Sequence, residues 1–450
     1  MAQSGERDPA VLKDLGDGLI LRRATVADAE ALSAFNAEIH RESEDDEPNE
    51  AVAAWTRDLV ECDHPTCGAG DFTVVEVQST GQIVSSLNII PQTWAYGGIE
   101  FGVGRSDLVG THPDYQRRGL VRAQYEVVHQ WSAARGHKIQ AITGIPWFYR
   151  QFGYEMCLSL LGSRSGYLPN VPQLKEGEEE PYRLRLAKRG DLSLITQVYS
   201  RAEQRYRVTC IRDKSLWRYE LDGRSEENIN RRVLNVIETK GGEPVGFLAH
   251  PSILWHSAIV ATAYELLPGV SWLSVTPSVV RYLKATGDAY SAGDAEESLK
   301  AFVFNLGGVH PVYEAMREDL PRVRKPYAWY VRIPDLPDFL RHVAPVIEHR
   351  LADSIVAGHT GDLKLSFYRD GLKLSLEAGK LTGVERWCPS SAEDGDAMFP
   401  DLSFLQLLFG YRSLETLTYA FADCWTRGDE ARVLFEAMFP EQPSNVWPVS

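Results

Sequence analysis

Residues 106–155 constrain this chain more than any other stretch. An apolar strand over 106–111 ends at His112-Pro113. Gln116-Arg117-Arg118-Gly119-Leu120-Val121 then turns into a helix with Val121, Tyr125, Val128 and Trp131 on one face. The helix ends near Gly136, a strand follows over 138–145, and an aromatic-rich turn follows over 148–154. The first amides of a helix are unpaired, and its dipole puts partial positive charge there. A diphosphate is bound well by that arrangement. Gly119 lets the backbone approach the anion, and Arg117 and Arg118 add flanking charge. Alone, Arg-Arg-Gly is only a charged helix start. The order strand, turn, helix, strand, aromatic turn makes it a pyrophosphate cradle.

The flanking chain supplies a sheet for this unit. Residues 1–16 are expected to form a mobile arm, and 18–23 a first strand. Thr25 and Asp28 cap a helix carrying Ala29, Leu32, Phe35 and Ile39. An acidic run, 42–50, leads into a second helix with Trp55 and Leu59. It reads either as a solvated loop or as a lip that attracts an amine. Strands over 71–78 and 83–91 have hairpin spacing, 93–98 is a turn, and 99–111 is a strand with a bulge expected at Gly102 or Gly104.

At 450 residues the chain exceeds one ordinary core. Glu176 to Pro181 marks a boundary, after which strand 182–187 and the helix following Arg189-Gly-Asp191 repeat the opening pattern. Strands are expected over 232–238, 244–250 and 257–267. No second cradle exists: Thr276-Pro277 opens a helix with no glycine turn. His310-Pro-Val-Tyr313 is a worn copy of the aromatic turn. After Pro337 come an amphipathic helix over 339–355, a small sheet and several apolar helices, and then a tail, 439–450, apolar enough to be tucked in.

Pro113-Asp-Tyr-Gln116-Arg-Arg-Gly119-Leu-Val121 resembles the acetyl-CoA loop of the GNAT N-acetyltransferases, usually Q/R-x-x-G-x-G/A, with Val121 in place of the small last residue. Phe148-Tyr149-Arg150-Gln151-Phe152-Gly153-Tyr154 resembles the Tyr-x-x-Phe-Gly-Tyr segment of their Eis-like (enhanced intracellular survival) branch. The resemblance covers nearly the whole chain. It implies an α/β (α+β) fold: a catalytic GNAT domain over 17–165, a degenerate GNAT-like domain over 180–333, and a sterol-carrier-protein-like domain over 334–450.

The resemblance also implies roles. Acetyl-CoA is the acyl donor, a co-substrate. Val109 and Thr111 offer backbone groups to its pantetheine arm, and Arg117, Arg118, Gly119, Leu120 and Val121 take its pyrophosphate. Tyr149 protonates the leaving thiolate; a phenol ordinarily titrates at roughly 10, close to an alkyl thiol. Tyr154 is read as structural. The base implied is the carboxylate of Ser450, with Asp107, Glu100, His112 and water as competitors.

A formal net charge of -15 argues against nucleic-acid binding and against docking on anionic membranes. It suits a cationic acceptor: an aminoglycoside-like or polyamine-like amine, or a lysine side chain. No apolar run spans a bilayer and no signal-peptide pattern opens the chain, so a cytoplasmic location is expected. Cys62, His64 and Cys67 lack the fourth ligand of a metal site, so no metal is expected. The resemblance implies homo-oligomers. Two other functions fit the sequence: a CoA-regulated binder of an apolar ligand without transferase activity, and a scaffold.

Overall fold

The structure, a computed structural model, describes residues 11–43, 45–61, 64–293, 298–391 and 393–447. The first unit begins with β1 (Val11–Gly16), β2 (Leu19–Arg23), α1 (Ala29–Ile39) and α2 (Glu50–Glu61). Then come β3 (Phe72–Val77), β4 (Gln82–Tyr96), β5 (Ile99–Thr111), α3 (Leu120–Ala134), β6 (Ile139–Ile142), β7 (Glu155–Leu160) and β8 (Ser163–Tyr167). The central unit holds β9 (Tyr182–Leu186), α4 (Leu192–Ala202), β10 (Val208–Cys210), α5 (Lys214–Arg218), β11 (Val233–Thr239), β12 (Pro244–His250), β13 (Ala258–Ala261) and β14 (Ala263–Leu266). It continues through α6 (Trp272–Gly293), β15 (Ala301–Phe304), α7 (Pro311–Ala315), β16 (Arg322–Arg324) and β17 (Tyr327–Arg332).

Among the described residues the first sheet runs β1-β2-β3-β4-β5-β6-β17-β7, with β10 paired to the far end of β4. Neighbours are antiparallel except β5 and β6, which are parallel. On one face, Leu32 of α1 and Trp55 of α2 pack with Val74 and Ile90. On the other, Tyr125 and Val128 of α3 pack with Leu87 and Ile142. Gln124 ties that face together, taking a 2.7 Å hydrogen bond from Ser85 and giving one of 3.2 Å to the Thr73 carbonyl.

Four expectations need correction. Residues 11–16 are a strand paired with β2, not part of an arm; their side chains are largely exposed, but Leu15 packs on the core and Lys13 pairs with Glu126 at 3.0 Å. β4 runs on to Tyr96, and the turn is Gly97-Gly98, with φ of +54° and +88°. The bulge in β5 falls at Leu108, whose φ is +48°, not at the glycines. Gly104 is small for another reason: a Cβ there would lie 2.6 Å from Ser132 Oγ. Finally, the sheets cross the expected boundary at 165–180. β17 sits between β6 and β7 in the first sheet, while β8 pairs with β15 and β16 of the central unit. Trp329, Tyr330 and Val331 are fully buried in that slot, and an apolar strand pattern does not say which sheet will receive it.

The central unit repeats the first. β9, β11, β12 and β14 form one sheet, and β13 pairs in parallel with β15 as β5 does with β6. Trp272 here meets Tyr264 at 4.8 Å and His310 at 5.1 Å, both edge-on. The third unit starts with α8 (Leu336–Ala352) and a sheet of β18 (Gly361–Ser366), β19 (Gly371–Glu377), β20 (Lys380–Trp387), β21 (Ala397–Met398) and β22 (Trp425–Thr426). Helices α9 (Phe404–Leu408), α10 (Leu414–Ala420) and α11 (Gly428–Met438) complete it. Its core is continuous with Trp94, Phe101 and Trp329 of the first sheet. The tail is tucked in: Asn445 donates its amide to the Val208 carbonyl at 3.0 Å. Trp447 stacks on Trp217 at 5.7 Å and takes the Tyr199 hydroxyl proton on its carbonyl at 2.9 Å.

Candidate active site

β5 and β6 pair only over Val103–Arg105 and Ile139–Ala141. Beyond that point the bulge at Leu108 turns β5 away, and the strands splay. The opening is a cavity of about 810 Å³. One wall is Asp107 to Thr111 of β5, another is Thr143-Gly144 after β6, and the cradle and Tyr149 close the ends.

Gly119 is the residue before α3, with φ of +76°. A Cβ there would meet nothing within 4 Å, so glycine serves the backbone conformation and the open approach rather than packing. No side chain caps α3, and no acidic residue sits in its first turn. Its leading amides are therefore available to an anion. Arg117 also has positive φ, +61°. Arg118 lies over the Tyr115 ring at 5.5 Å and 3.8 Å from Asp17. Leu120 points into the core, and Val121 and Val109 pack against the aromatic cluster around Tyr125. Thr111 Oγ1 is 2.9 Å from Ser85 Oγ. All seven residues expected to hold CoA contribute to this end of the fold. Six of them (Arg118 apart) line the cavity itself. The cavity between the splayed strands ends at an uncapped helix, whose amides can receive an anion.

Tyr149 lies in a short helical turn, Phe148–Phe152, between two residues of positive φ, Trp147 and Gly153. Only 4% of it is exposed. Its ring rests on Gly144, where a Cβ would lie 2.6 Å from Cε2. Tyr330, brought in by the exchanged strand, meets it edge-on at 5.5 Å. Its hydroxyl has no hydrogen bond to a described residue. Burial, with the Asp107 charge adding to it, pushes the phenol well above its ordinary value. The even match of phenol and thiol that holds in water is thus shifted, but the same desolvation makes a departing thiolate more basic. Tyr154 is fully buried, its hydroxyl 2.9 Å from His129 Nε2, a structural contact.

The candidate bases separate. Asp107 lines the cavity, pairs closely with the Arg105 guanidinium and accepts the Leu108 amide at 2.8 Å. Glu100 is at the other end of β5. It lines a different cavity of about 310 Å³ with Arg212 and Tyr219, so the structure does not bring it to Tyr149. His112 is occupied as a cap, its Nδ1 accepting the Asp114 amide at 3.3 Å. Ser450 lies outside the described residues, as does Cys62. His64 Nδ1 accepts the Thr66 and Cys67 amides, and among the described residues no metal-binding cluster of His, Cys, Asp or Glu forms. The acidic run links α1 to α2, and its described residues are largely exposed. His40, at the end of α1 just before that run, lines the same cavity as Tyr149 and Asp107. Nothing in the local sequence marks it; only the packing of α1 on β5 brings it there.

Residues 22–157 match the family described as acetyltransferase (GNAT) domain. No curated protein matches the chain in sequence. Among solved structures, a conserved protein of unknown function from Enterococcus faecalis V583 is 14% identical, with 94% of this chain and 98% of that one covered at a TM-score of 0.66. A GCN5-related N-acetyltransferase from Kribbella flavida is 17% identical over 95% and 97%, with a TM-score of 0.62. Eis1 from Mycobacterium abscessus is 13% identical over 94% and 98%, with a TM-score of 0.59. At these identities the likeness is one of fold, and it extends over all three units. No helix among the described residues is long and apolar enough to cross a membrane. Residues 22–157 thus match an acetyltransferase (GNAT) domain, set in a whole-chain fold similar to that of Eis1.

Proposed function

We propose that the chain transfers an acetyl group from acetyl-CoA to a primary amine of a cationic acceptor, an aminoglycoside-like or polyamine-like molecule or a lysine side chain. One observation carries this: a single cavity joins an uncapped helix end at Gly119 to a Tyr149 hydroxyl without a hydrogen bond among the described residues. In this reading Arg117, Arg118 and the amides of Gly119 to Val121 hold the diphosphate. Val109 and Thr111 align the pantetheine, and Tyr149 gives its proton to the sulfur. Holding donor and amine in register supplies much of the rate. The exposed acidic run beside α1 supports a cationic acceptor, since local negative charge concentrates amines. The resemblance implies the Ser450 carboxylate as base, and Asp107 at the cavity wall is the competing carboxylate.

The test is a panel of aminoglycosides, polyamines and lysine peptides with acetyl-CoA, read by thiol release and product mass. Turnover with cationic amines that exceeds thioester hydrolysis is expected. Hydrolysis alone across the panel overturns the proposal.

A second reading, binding of an apolar ligand under CoA control, is favoured by a cavity of about 900 Å³ in the third unit, which we read as sterol-carrier-protein-like. Phe367, Leu372, Phe404 and Leu405 line it, with Arg369 and Arg386 at its polar side. A co-purifying lipid without thiol release would select that reading.

A further inference from the structure

His40 follows α1, with its amide bonded to the Asn36 carbonyl at 3.0 Å. The preceding residue fixes the placement. A Cβ on Gly110 would come 2.5 Å from Ile39 Cγ2, so α1 ends hard against the splayed part of β5. His40 consequently sits in the wall of the cavity that also holds Asp107, Val109 and Tyr149. Its Nε2 is buried and unpartnered among the described residues. An imidazole that caps no helix and leaves a buried nitrogen free is an unusual wall for a thioester channel. His112 and His310 both cap helical turns, and His129 bonds Tyr154.

The groups facing it are few. Asp107 on β5 is the charge that acts on the ring. Arg105 is bound to Asp107, and Tyr149 faces the same cavity from the aromatic turn. On its own side of the molecule, Arg41 pairs with Glu38 at 3.2 Å and is thereby engaged. Burial holds the imidazole below its ordinary value, with Asp107 opposing. The ring is therefore neutral near pH 7, with a lone pair to offer. Asn36 Oδ1, one helical turn before His40, both side-chain polar atoms of Asn88, and Nε and Nη1 of Arg105 are also buried without protein partners among the described residues. Asn88 is the cross-strand partner of Asp107. Buried polar atoms without protein partners are ordinarily satisfied by ordered water.

We propose that His40, in place of the Ser450 carboxylate that the resemblance implies, takes the proton from the acceptor ammonium, a role that rests on the transfer reaction proposed above. The ammonium N–H bond breaks to Nδ1, the ring nitrogen that is not buried, while Nε2 keeps its hydrogen on the buried side, and the freed amine lone pair forms the C–N bond at the thioester carbonyl. The C–S bond then breaks as sulfur takes the Tyr149 phenolic proton. The phenolate recovers a proton from the new amide nitrogen, and the imidazolium releases its own to water. One proton is lost per ammonium acetylated.

The pH profile of kcat/KM for the acceptor tests this in wild type, His40→Gln and His40→Ala, with acetyl-CoA affinity measured beside it. The wild type should lose activity along an acid limb below about pH 6.5, the ordinary imidazole value. His40→Gln should fall about 10²-fold, the usual scale for a lost acid–base group, and lack that limb. Added imidazole should partly restore His40→Ala, and donor affinity should change less than about twofold. A limb retained in His40→Gln, or donor affinity falling in step with rate, overturns the assignment while leaving the transfer reaction standing. A wild type that never exceeds thioester hydrolysis overturns both.

Discussion

Tyr149 and Tyr313 stand at matching places in the two GNAT-like halves, and only Tyr313 has its hydroxyl committed among the described residues. The Tyr313 hydroxyl lies 3.0 and 3.1 Å from the carbonyls of Phe304 and Gly307 and accepts the Leu306 amide at 3.2 Å. That of Tyr149 has no such bond among the described residues. Removing each oxygen should therefore give opposite signatures. Tyr149→Phe is expected to lower kcat about 10²-fold with little change in acetyl-CoA affinity or melting temperature. Tyr313→Phe should leave kcat near wild type and cost about 1–3 kcal/mol of stability, because it orphans buried backbone groups. Stopped assays of thiol release, calorimetric donor binding and urea unfolding separate the two. Equal turnover in wild type and Tyr149→Phe would remove Tyr149 from the reaction.

The duplication is also written in ion pairs. Arg22 bonds Glu76 at 2.7 Å and both oxygens of Asp28, at 2.9 and 2.6 Å. Arg185 bonds Glu238 at 2.7 Å and Asp191 at 2.7 and 3.0 Å. Asp28 and Asp191 each also take a backbone amide at the start of the following helical turn. The Arg22 side chain is 6% exposed and that of Arg185 36%. Arg22→Met should then cost roughly 3–5 kcal/mol by stranding buried carboxylates, and Arg185→Met about 1 kcal/mol. Urea midpoints give the order, and a larger loss at Arg185 would contradict the burial argument.

What could be read from sequence tracks how local each feature is. The cradle, α3 and the aromatic turn have their signals within a few residues, so Gly119 and Tyr149 stood out. The helix near Thr276 was legible but its start was not: α6 begins at Trp272, with Pro277 inside it. The exchange of β8 and β17 was not, because pairing partners so far apart in the chain leave no local trace. The Leu108 bulge was hidden because glycines nearby offered the more obvious candidate, and their smallness turned out to serve His137 and Ser132. His40 was silent because its meaning depends on Ile39 meeting Gly110.

Gly119 makes a sharp test of the cradle. Its positive φ and open surroundings mean that a side chain would strain the backbone and stand where the anion approaches. Gly119→Val should cost about 1–2 kcal/mol of stability from conformation alone. It should raise the acetyl-CoA dissociation constant by a factor of ten or more, with a smaller effect on binding of a CoA fragment lacking the diphosphate. Uniform weakening of both ligands would place the diphosphate elsewhere.

Acid should weaken the fold before carboxylates titrate. Burial, with the Arg224 and Arg212 charges adding, holds His64 down to about 3. Burial also holds His129 and His137 to about 4, helped by Arg332 and Arg135 respectively. Each imidazole is near 6.5 when unfolded, so between there and about 4 the unfolded chain binds more protons. Stability is then full above about pH 6.5 and declines as pH falls toward 4. Urea midpoints taken across this interval should drop steadily, and His137→Gln should flatten the slope. A flat profile down to pH 5 would mean these rings protonate freely in the native state.

The tail offers the last test, because its anchor can be cut without touching the cavity. Trp447 is 7% exposed, stacked on Trp217, with the Arg212 guanidinium 4.9 Å from its ring centre. Trp447→Ala removes a buried indole and should cost roughly 3–5 kcal/mol. Trp447→Phe keeps a ring against Trp217 and should cost far less. If the residues after Trp447 act in transfer, as the resemblance implies for the Ser450 carboxylate, Trp447→Ala assayed where it is still folded should lose turnover while binding acetyl-CoA normally. Trp447→Phe should keep most of it. Turnover unchanged in a folded Trp447→Ala protein would confine the tail to a structural part and leave proton removal to the groups at the cavity wall.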